Sequence, residues 1–287
     1  MLQVHLLRPS ECFPPAPPGE SLAPHDSLKP LIELVDDKTR QDVLKYRFLR
    51  DARRCLLGRL LARYVLTSRL GAPWPSFAFA KTERGRPFAA TTTSPEPLPV
   101  DYNVSHDANC VIVASVLPTG EGAAQRVGVD VMQVVNPWVG SSVDEFVGGI
   151  GEQLTPAEQR ALSSYTDSTG KLRHALALWT LKEAYIKATG DGLHFDLLRL
   201  SFRLDFPSSS SSSSALSPSS IGSAQLDGKP LQGWRFSLVE LPGAERYWLA
   251  LAVQDLSGHG AVVHHVSPPD WLHPISLAEV VGAAHSG

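Results

Sequence analysis

Residues 170–192 read GKLRHALALWTLKEAYIKATGDG, and this stretch decides the fold of the second half of the chain. It predicts a long helix from about Gly170 to Thr189, because two glycines follow at the point where helices commonly end. On that helix a large ring, an acid and a base share one stripe at i, i+4 and i+8: Trp179, Glu183 and Lys187. The plain alternative for the acid and the base is an ordinary surface ion pair.

The segment GVDVM at residues 128–132 has the pattern of a buried strand with one carboxylate in its middle. Asp130 lies among Val127, Val129 and Val131, and burying a carboxylate without a partner is costly. A metal ion is one good partner for it. The alternative is a strand whose outer face is solvated, which would leave Asp130 in water.

A second long helix is predicted from about Asp37 to Leu70, because no proline interrupts this stretch. Its core face is predicted to carry Leu44, Phe48, Ala52, Cys55 and Leu56. Its opposite positions carry Lys45, Arg47, Arg50, Arg53, Arg54, Arg59 and Arg63. Of these, Arg47, Arg50 and Arg54 form a basic stripe at i, i+3 and i+7, for which a solvated face is the plain alternative.

Short strands accompany these helices and set the fold class. They are predicted at residues 2–7, 77–80, 102–105, 110–116, 127–131, 197–204, 233–241 and 247–253. The order of strand, long helix and further strands occurs twice, which predicts an α+β fold of two similar halves, residues 1–125 and 126–287. The proline-rich residues 14–30 are predicted to form a surface loop, and the serine-rich residues 207–220 a disordered insertion in the second half.

Two turn-rich segments of the first half carry polar groups suited to phosphate. In KTERGRP, residues 81–87, three cations lie beside a glycine that would let the backbone come near a phosphate: Lys81, Arg84 and Arg86 around Gly85. In YNVSHD, residues 102–107, a strand ends in Asn103, Ser105 and His106, and an imidazole there could donate to a phosphate oxygen. Solvated turns, satisfied by their own side chains, are the alternative for both.

Composition excludes several classes of protein. The 287 residues hold 26 basic and 29 acidic side chains, so nothing in the overall balance predicts nucleic acid as a partner. Three widely spaced cysteines indicate neither a disulfide framework nor a zinc site, and irregular spacing favours surface positions for His259, His264 and His265.

The N-terminus lacks the long apolar run of a signal peptide or membrane span, so we expect a cytoplasmic protein. The motifs GxxxxGK[ST], HExxH and GxSxG are absent from the sequence.

Taken in order, NVSH, GVDV and the LKEA helix with its following glycines resemble the phosphopantetheinyl transferase family, in its longer monomeric type. The resemblance begins at KYRFLRDARRCLLGRLLARYV, residues 45–65, continues through ERGRP and extends to about Asp196. It covers roughly the central half of the chain. It implies two similar α+β halves that form an intramolecular pseudo-dimer and bind coenzyme A.

The resemblance also implies roles for single residues. Asp130 and Glu183 would bind Mg²⁺, which prefers carboxylate and phosphate oxygens. Lys187 and His106 would contact the pyrophosphate of coenzyme A. Further coenzyme A contacts are implied for Lys81, Arg84, Gly85, Arg86, Asn103 and Ser105.

The reaction implied is attack by a carrier-protein serine on the β-phosphate of coenzyme A, which releases adenosine 3′,5′-bisphosphate. Glu183 is the candidate base, directly or through a metal-bound water. Glu158 is a second candidate, although TPAE at residues 155–158 equally predicts that Glu158 caps a helix start.

This chain departs from the family pattern at two positions. Met132 stands where bacterial members have a third acid, so a metal site of two carboxylates is expected. Asp42 stands where relatives bind the 3′-phosphate of coenzyme A with a basic residue, and Lys45 or Arg40 are the candidates to replace it.

The partners implied are apo acyl, peptidyl or aminoadipate reductase carrier domains, and no membrane. Carriers of this kind present an acidic helix, so the basic stripe is a candidate docking surface. The competing hypothesis is a non-catalytic homologue that binds coenzyme A or a carrier without transfer.

Overall fold

The computed structural model of the chain describes residues 1–13, 28–118, 125–206, 220–241, 243–254, 262–265 and 270–286. The predicted loop at 14–30 lies mostly outside these residues, and its last residues begin a short helix. The predicted disordered insertion at 207–220 lies outside them up to Ser220, which begins a strand. His259 lies outside them as well.

The helices in chain order are α1 Pro9–Cys12, α2 Lys29–Ile32, α3 Asp37–Leu44, α4 Leu49–Leu70, α5 Val143–Ile150, α6 Pro156–Ser163, α7 Ser168–Thr189 and α8 Leu277–His285. The strands are β1 Leu2–Leu7, β2 Phe77–Lys81, β3 Pro87–Thr91, β4 Asp101–Asp107, β5 Cys110–Val116, β6 Val127–Gln133, β7 Leu200–Leu204, β8 Ser220–Leu226, β9 Lys229–Pro230, β10 Trp234–Leu241, β11 Tyr247–Gln254, β12 Val262–His265 and β13 Leu272–Pro274. Short 3₁₀ turns lie at Trp74–Ser76, Gly151–Gln153, Gly192–His194 and Leu197–Arg199.

The chain forms two compact units, which differ from the predicted halves at two places, the loop residues Glu83–Arg86 and the C-terminal residues from Asp270. The first unit is Met1–Thr82, Pro87–Ala124 and Asp270–Gly287, and the second is Glu83–Arg86 and Gln125–Pro269. The C-terminal residues thus pack in the first unit, whereas the prediction placed them in the second. The reason is long-range pairing: β13 lies parallel to β1, and Val280 of α8 is buried in the core around α4.

In the first unit, α4 packs on a four-stranded sheet of order β13-β1-β5-β4. Strand β1 pairs antiparallel with β5, which forms a hairpin with β4. The core between helix and sheet includes Leu57 and Leu61 from α4 and Val111 and Val113 from β5. A separate hairpin joins β2 and β3.

The second unit repeats this plan with a larger sheet. Its main order is β6-β11-β10-β12-β8-β7, and β6 pairs antiparallel with β11, which forms a hairpin with β10. The helix α7 packs on this sheet through residues such as Leu178 and Leu181. Both long helices have 22 residues and end at a left-handed glycine, Gly71 or Gly190. The α+β class and the similarity of the two halves are therefore confirmed.

The predicted helix over residues 37–70 is in fact two helices, α3 and α4, separated at residues 45–48. Phe48 is extended and precedes α4, with φ −107° and ψ 133°. The break places Leu44 and Phe48 on the surface, 44% and 37% exposed, so their assignment to the core was wrong. No side chain caps α4 at this point, and the spacing of apolar residues gave no sign of the break.

The predicted basic face of this helix also divides. Arg47 lies in the break, and its guanidinium and that of Arg50 stack over the Phe48 ring. Arg63 was predicted on the polar face but is buried, because it donates to the carbonyls of Trp74 and Phe77, each at 2.9 Å. A long arginine side chain can reach chain segments that follow the helix, and helical periodicity does not predict such contacts.

Among the described helices, none is long and apolar enough to cross a membrane.

Acid should destabilise the second unit through His174. This side chain is 4% exposed, its Nδ1 lies 3.0 Å from the Tyr165 hydroxyl, and burial lowers its pKa to about 4. In the unfolded chain this imidazole takes up a proton near pH 6.5, whereas in the folded chain it stays neutral until about pH 4. The unfolding free energy is therefore unaffected by this group above pH 6.5 and decreases as the pH falls from 6.5 toward 4. Between pH 7 and 4.5, His174→Gln should lose about 2 kcal/mol less of its unfolding free energy than the wild type in urea titrations. Equal losses in the two proteins would contradict this prediction.

Candidate active site

The site in the second unit is built where β6 lies directly against α7. A Cβ on Gly128 would come within 2.0 Å of the Ala184 carbonyl oxygen and 2.5 Å of the Ala188 nitrogen. The strand therefore needs glycine at this position to approach the helix backbone. Because side chains alternate along a strand, Asp130 lies on the same face as Gly128 and is directed toward the last turns of α7.

Asp130 forms an ion pair with Lys187 of α7. The Lys187 Nζ donates to Asp130 Oδ1 at 2.7 Å, and Asp130 is 7% exposed. The expectation that a buried carboxylate here requires a partner is confirmed, and that partner is a lysine. The alternative of a solvated Asp130 was wrong, and Lys187 forms its ion pair with Asp130 of β6.

Glu183 lies one turn before Lys187 on the same helix and has a perturbed acidity. Burial raises its pKa, and the nearby Asp130 carboxylate raises it further, while Lys187 acts in the opposite direction. Two carboxylates side by side in a partly buried site repel each other unless a cation is near. The site therefore favours binding of an additional cation, or uptake of a proton by Glu183.

These residues suit a hard divalent cation bound largely by other ligands. Within the described ranges, no three side chains among His, Cys, Asp and Glu lie close enough to hold a metal ion. Two carboxylates, Asp130 and Glu183, meet at the site, in keeping with Met132 in place of a third acid. Mg²⁺ is commonly held by one or two carboxylates together with phosphate oxygens and water, so the donor set fits it.

The loop between β2 and β3 supplies arginines to the second unit. Arg84 is exposed and pairs with Asp191, just beyond the end of α7. Gly85 takes φ +86°, a turn conformation that glycine adopts without strain. Arg86 donates to backbone carbonyls of α7 and β6. Of the predicted residues, Arg84 and Arg86 thus lie in the unit that holds Asp130, Glu183 and Lys187.

The predicted residues of β4 belong to the first unit and do not share one face. Asn103 and Ser105 are buried, each 4% exposed, whereas His106 is exposed at the strand end. By alternation His106 lies on the face of Val104, which packs near Gly58 of α4, and Asn103 and Ser105 lie on the opposite face.

The remaining predicted residues also lie in the first unit. Lys81 is exposed at the end of β2. Lys45 is exposed and its Nζ lies 2.8 Å from Asp42 Oδ1, so it neutralises the acid that stands in place of the usual basic residue. Arg40 contacts Glu33 at 3.3 Å and Asp37 at 3.5 Å.

Glu158 is a structural residue in this fold. It closes a capping box with Thr155 at the start of α6, as predicted. Its Oε1 accepts from the Phe202 nitrogen at 2.9 Å, its Oε2 lies 2.9 Å from Lys182 Nζ, and its side chain is fully buried. These contacts leave it no access to a substrate proton, so its candidacy as the base was wrong.

Sequence reasoning missed Lys182, the residue before Glu183. Its side chain is 1% exposed and donates to the carbonyls of Gln153, Leu197 and Leu200 as well as to Glu158. Burial lowers its pKa, and Glu158 counteracts that effect. The sequence signal for burial was that Lys182 lies off the stripe of Trp179, Glu183 and Lys187, next to the apolar Leu181.

Two family descriptions match most of the chain. Residues 23–117 match "4'-phosphopantetheinyl transferase, N-terminal", and residues 126–252 match "4'-phosphopantetheinyl transferase superfamily". The phosphopantetheinyl transferase of Thraustochytrium sp. is 30% identical over 91% of this chain and 81% of its own length. The 4'-phosphopantetheinyl transferase pptA of Paxillus involutus is 31% identical over 79% of this chain and 81% of its own.

Two other similar proteins match smaller shares of this chain. The L-aminoadipate-semialdehyde dehydrogenase-phosphopantetheinyl transferase of Xenopus laevis is 32% identical over 59% of this chain, which spans only 54% of that relative. The crystal structure of the holo-[acyl-carrier-protein] synthase of Thermotoga maritima is 19% identical over 45% of this chain and 62% of its own, with a TM-score of 0.29.

Proposed function

Because this chain belongs to the 4'-phosphopantetheinyl transferase superfamily, we propose that it moves the phosphopantetheine arm of coenzyme A onto a serine of apo carrier proteins. The observation that carries this proposal is the partly buried Asp130–Lys187 ion pair beside Glu183, in a region matched by the family. A lysine and two carboxylates at the end of a buried strand suit a pyrophosphate and its cation.

The proposed transfer is a single displacement at phosphorus. The serine Oγ forms a bond to the β-phosphorus of coenzyme A, and the bond from that phosphorus to the bridging oxygen breaks. Adenosine 3′,5′-bisphosphate leaves with that oxygen, and the serine proton passes to Glu183. Glu183 is the proposed acceptor because its carboxylate lies beside Asp130, one helical turn before Lys187.

Charge on the leaving phosphate would be balanced by side chains of this chain. Lys187 is the proposed first contact, because its ammonium group is held at the site by Asp130 at 2.7 Å. His106 is proposed to contact the same pyrophosphate. Contacts with the rest of coenzyme A are proposed for Lys45, Lys81, Arg84, Gly85, Asn103 and Ser105.

Mg²⁺ is the proposed cofactor, with Asp130 and Glu183 as its protein ligands. When bound, it would supply positive charge to the pyrophosphate oxygens. The raised pKa of Glu183 supports this assignment, because a second cation would relieve the repulsion between the two carboxyl groups.

The finer identity of the enzyme is part of the same proposal. We propose a holo-[acyl-carrier-protein] synthase activity that extends to peptidyl and aminoadipate reductase carriers, in a cytoplasmic monomer that binds neither nucleic acid nor membranes. The basic stripe of Arg47, Arg50 and Arg54 is proposed to dock the acidic carrier. Arg47 and Arg50 are exposed, whereas Arg54 is partly buried and pairs with Asp51.

The experiment is intact-mass spectrometry of three purified apo carriers, one of each class, incubated with the protein, coenzyme A and MgCl₂. We expect a gain of one phosphopantetheine arm on at least one carrier, none on its serine-to-alanine variant and none with EDTA. No gain on all three carriers, with coenzyme A binding retained in calorimetry, would instead support the non-catalytic homologue.

A further inference from the structure

The C-terminal end of α7 is capped by arginines from outside the helix. The last carbonyls of a helix lack partners within it, and here Ile186 O accepts from the Gly190 nitrogen at 2.8 Å. Arg86 Nε donates to the carbonyls of Lys187 and Ala188, each at 3.2 Å. The Thr189 carbonyl accepts from Arg126 Nη1 at 2.8 Å. All four carbonyls of the last turn thus have donors.

Arg86 also reaches the strand that faces this helix. Its Nη2 donates to the Val127 carbonyl at 3.1 Å, at the start of β6. Strand β6 pairs with β11 in the sheet of the second unit. One planar guanidinium therefore connects the strand that carries Asp130 with the helical turn that carries Lys187.

Gly190 makes room for this contact. It takes φ +79° at the end of α7, and a Cβ there would lie 2.7 Å from Arg86 Cδ. The glycine thus serves the left-handed turn and the close approach of the arginine together.

We propose that Arg86, assisted by Arg126, is a positioning residue that sets the separation of β6 and α7 and thereby the Asp130–Lys187 pair. This inference rests on the proposed transferase function. It differs from the nucleotide contact that the family resemblance implies for Arg86, because the guanidinium is directed at three backbone carbonyls.

The two roles predict different kinetics for Arg86→Lys, which keeps the charge but loses the planar fork. Positioning predicts that kcat falls about 10- to 100-fold while the KM for coenzyme A stays within about 2-fold, since small displacements of reacting groups cost rate. A nucleotide contact predicts that Arg86→Lys keeps nearly the wild-type kcat and KM, and that the main defect of Arg86→Gln is a raised KM for coenzyme A. The second pattern would overturn the inference.

Amide hydrogen exchange of the protein without ligands gives a readout apart from activity. In Arg86→Lys, exchange of residues 128–131 and of the last turn of α7 should rise about 10-fold. Arg84→Gln, in the same loop, is the matched control, because Arg84 pairs with Asp191 and should leave β6 exchange unchanged. Unchanged exchange in Arg86→Lys would refute the positioning role even if the wild type proved inactive as a transferase.

Arg126→Gln keeps the inference testable if Arg86→Lys fails to fold. It removes one exposed hydrogen bond to the Thr189 carbonyl. We expect faster exchange at the end of α7 and a kcat lower by about 3-fold at an unchanged KM for coenzyme A. Wild-type exchange and kcat in Arg126→Gln would exclude its share in positioning.

Discussion

Replacing Asp130 by asparagine is expected to lower the rate of carrier modification by about 10³-fold while the protein stays folded. The amide has nearly the shape of the carboxylate but carries no charge, so it neither holds the Lys187 ammonium at 2.7 Å nor contributes a charged ligand to a cation. The measurement is the initial rate of mass gain on a carrier at saturating coenzyme A, over a range of Mg²⁺ concentrations. The Mg²⁺ concentration for half-maximal rate should rise as well.

The matched control for this variant is Asp144→Asn. Asp144 pairs with Lys171 of the same helix α7, but its side chain is 77% exposed and lies outside the proposed site. We expect transfer by Asp144→Asn at the wild-type rate, because surface ion pairs contribute little. If Asp130→Asn kept more than about a tenth of the wild-type rate, the proposed role of Asp130 in binding the cation and orienting Lys187 would be wrong.

Local sequence patterns were sufficient to predict the elements that form this site. The end of α7 was set by Gly190, and the start of α6 by the capping box of Thr155 and Glu158. The need of Asp130 for a partner followed from its apolar neighbours alone. Each of these rests on residues within a few positions of one another, where sequence and geometry are directly linked.

The misses involve contacts between distant parts of the chain. The pairing of β13 with β1 joins the two ends of the sequence, and no local sequence pattern predicts it. Arg63 and Lys182 donate to backbone carbonyls of other segments in addition to a carboxylate, and carbonyl partners cannot be predicted from residue identity. The break before α4 falls inside a stretch whose residues are all compatible with a helix, so helical spacing continued across it.

Two helices that were not predicted, α5 and α8, begin at a pattern that predicts a helix start. Ser142 with Glu145 and Ser276 with Glu279 are separated by the spacing of a capping box, and both boxes form in the structure, at α5 and α8. The same pattern was recognised at Thr155, where a proline in the first turn reinforced it. Applied throughout, it would have predicted both helices.

Replacing Lys182 by methionine is expected to destabilise the protein by about 3–5 kcal/mol, the largest stability effect that we predict. Methionine fills the space, but Glu158 is left as a buried charge without its counterion, and three carbonyls lose a donor. The measurement is the unfolding free energy from urea titrations at pH 8. Lys171→Met, which breaks the exposed pair on the same helix, should cost no more than about 1 kcal/mol.

A double variant separates the cost of the unpaired charge from the cost of lost packing. Lys182→Met/Glu158→Gln should be more stable than Lys182→Met alone at pH 8, because no uncompensated charge remains, although the carbonyls of Gln153, Leu197 and Leu200 still lack their donor. If the double variant were no more stable than Lys182→Met, packing and the lost carbonyl hydrogen bonds would account for the effect and the charge on Glu158 would not.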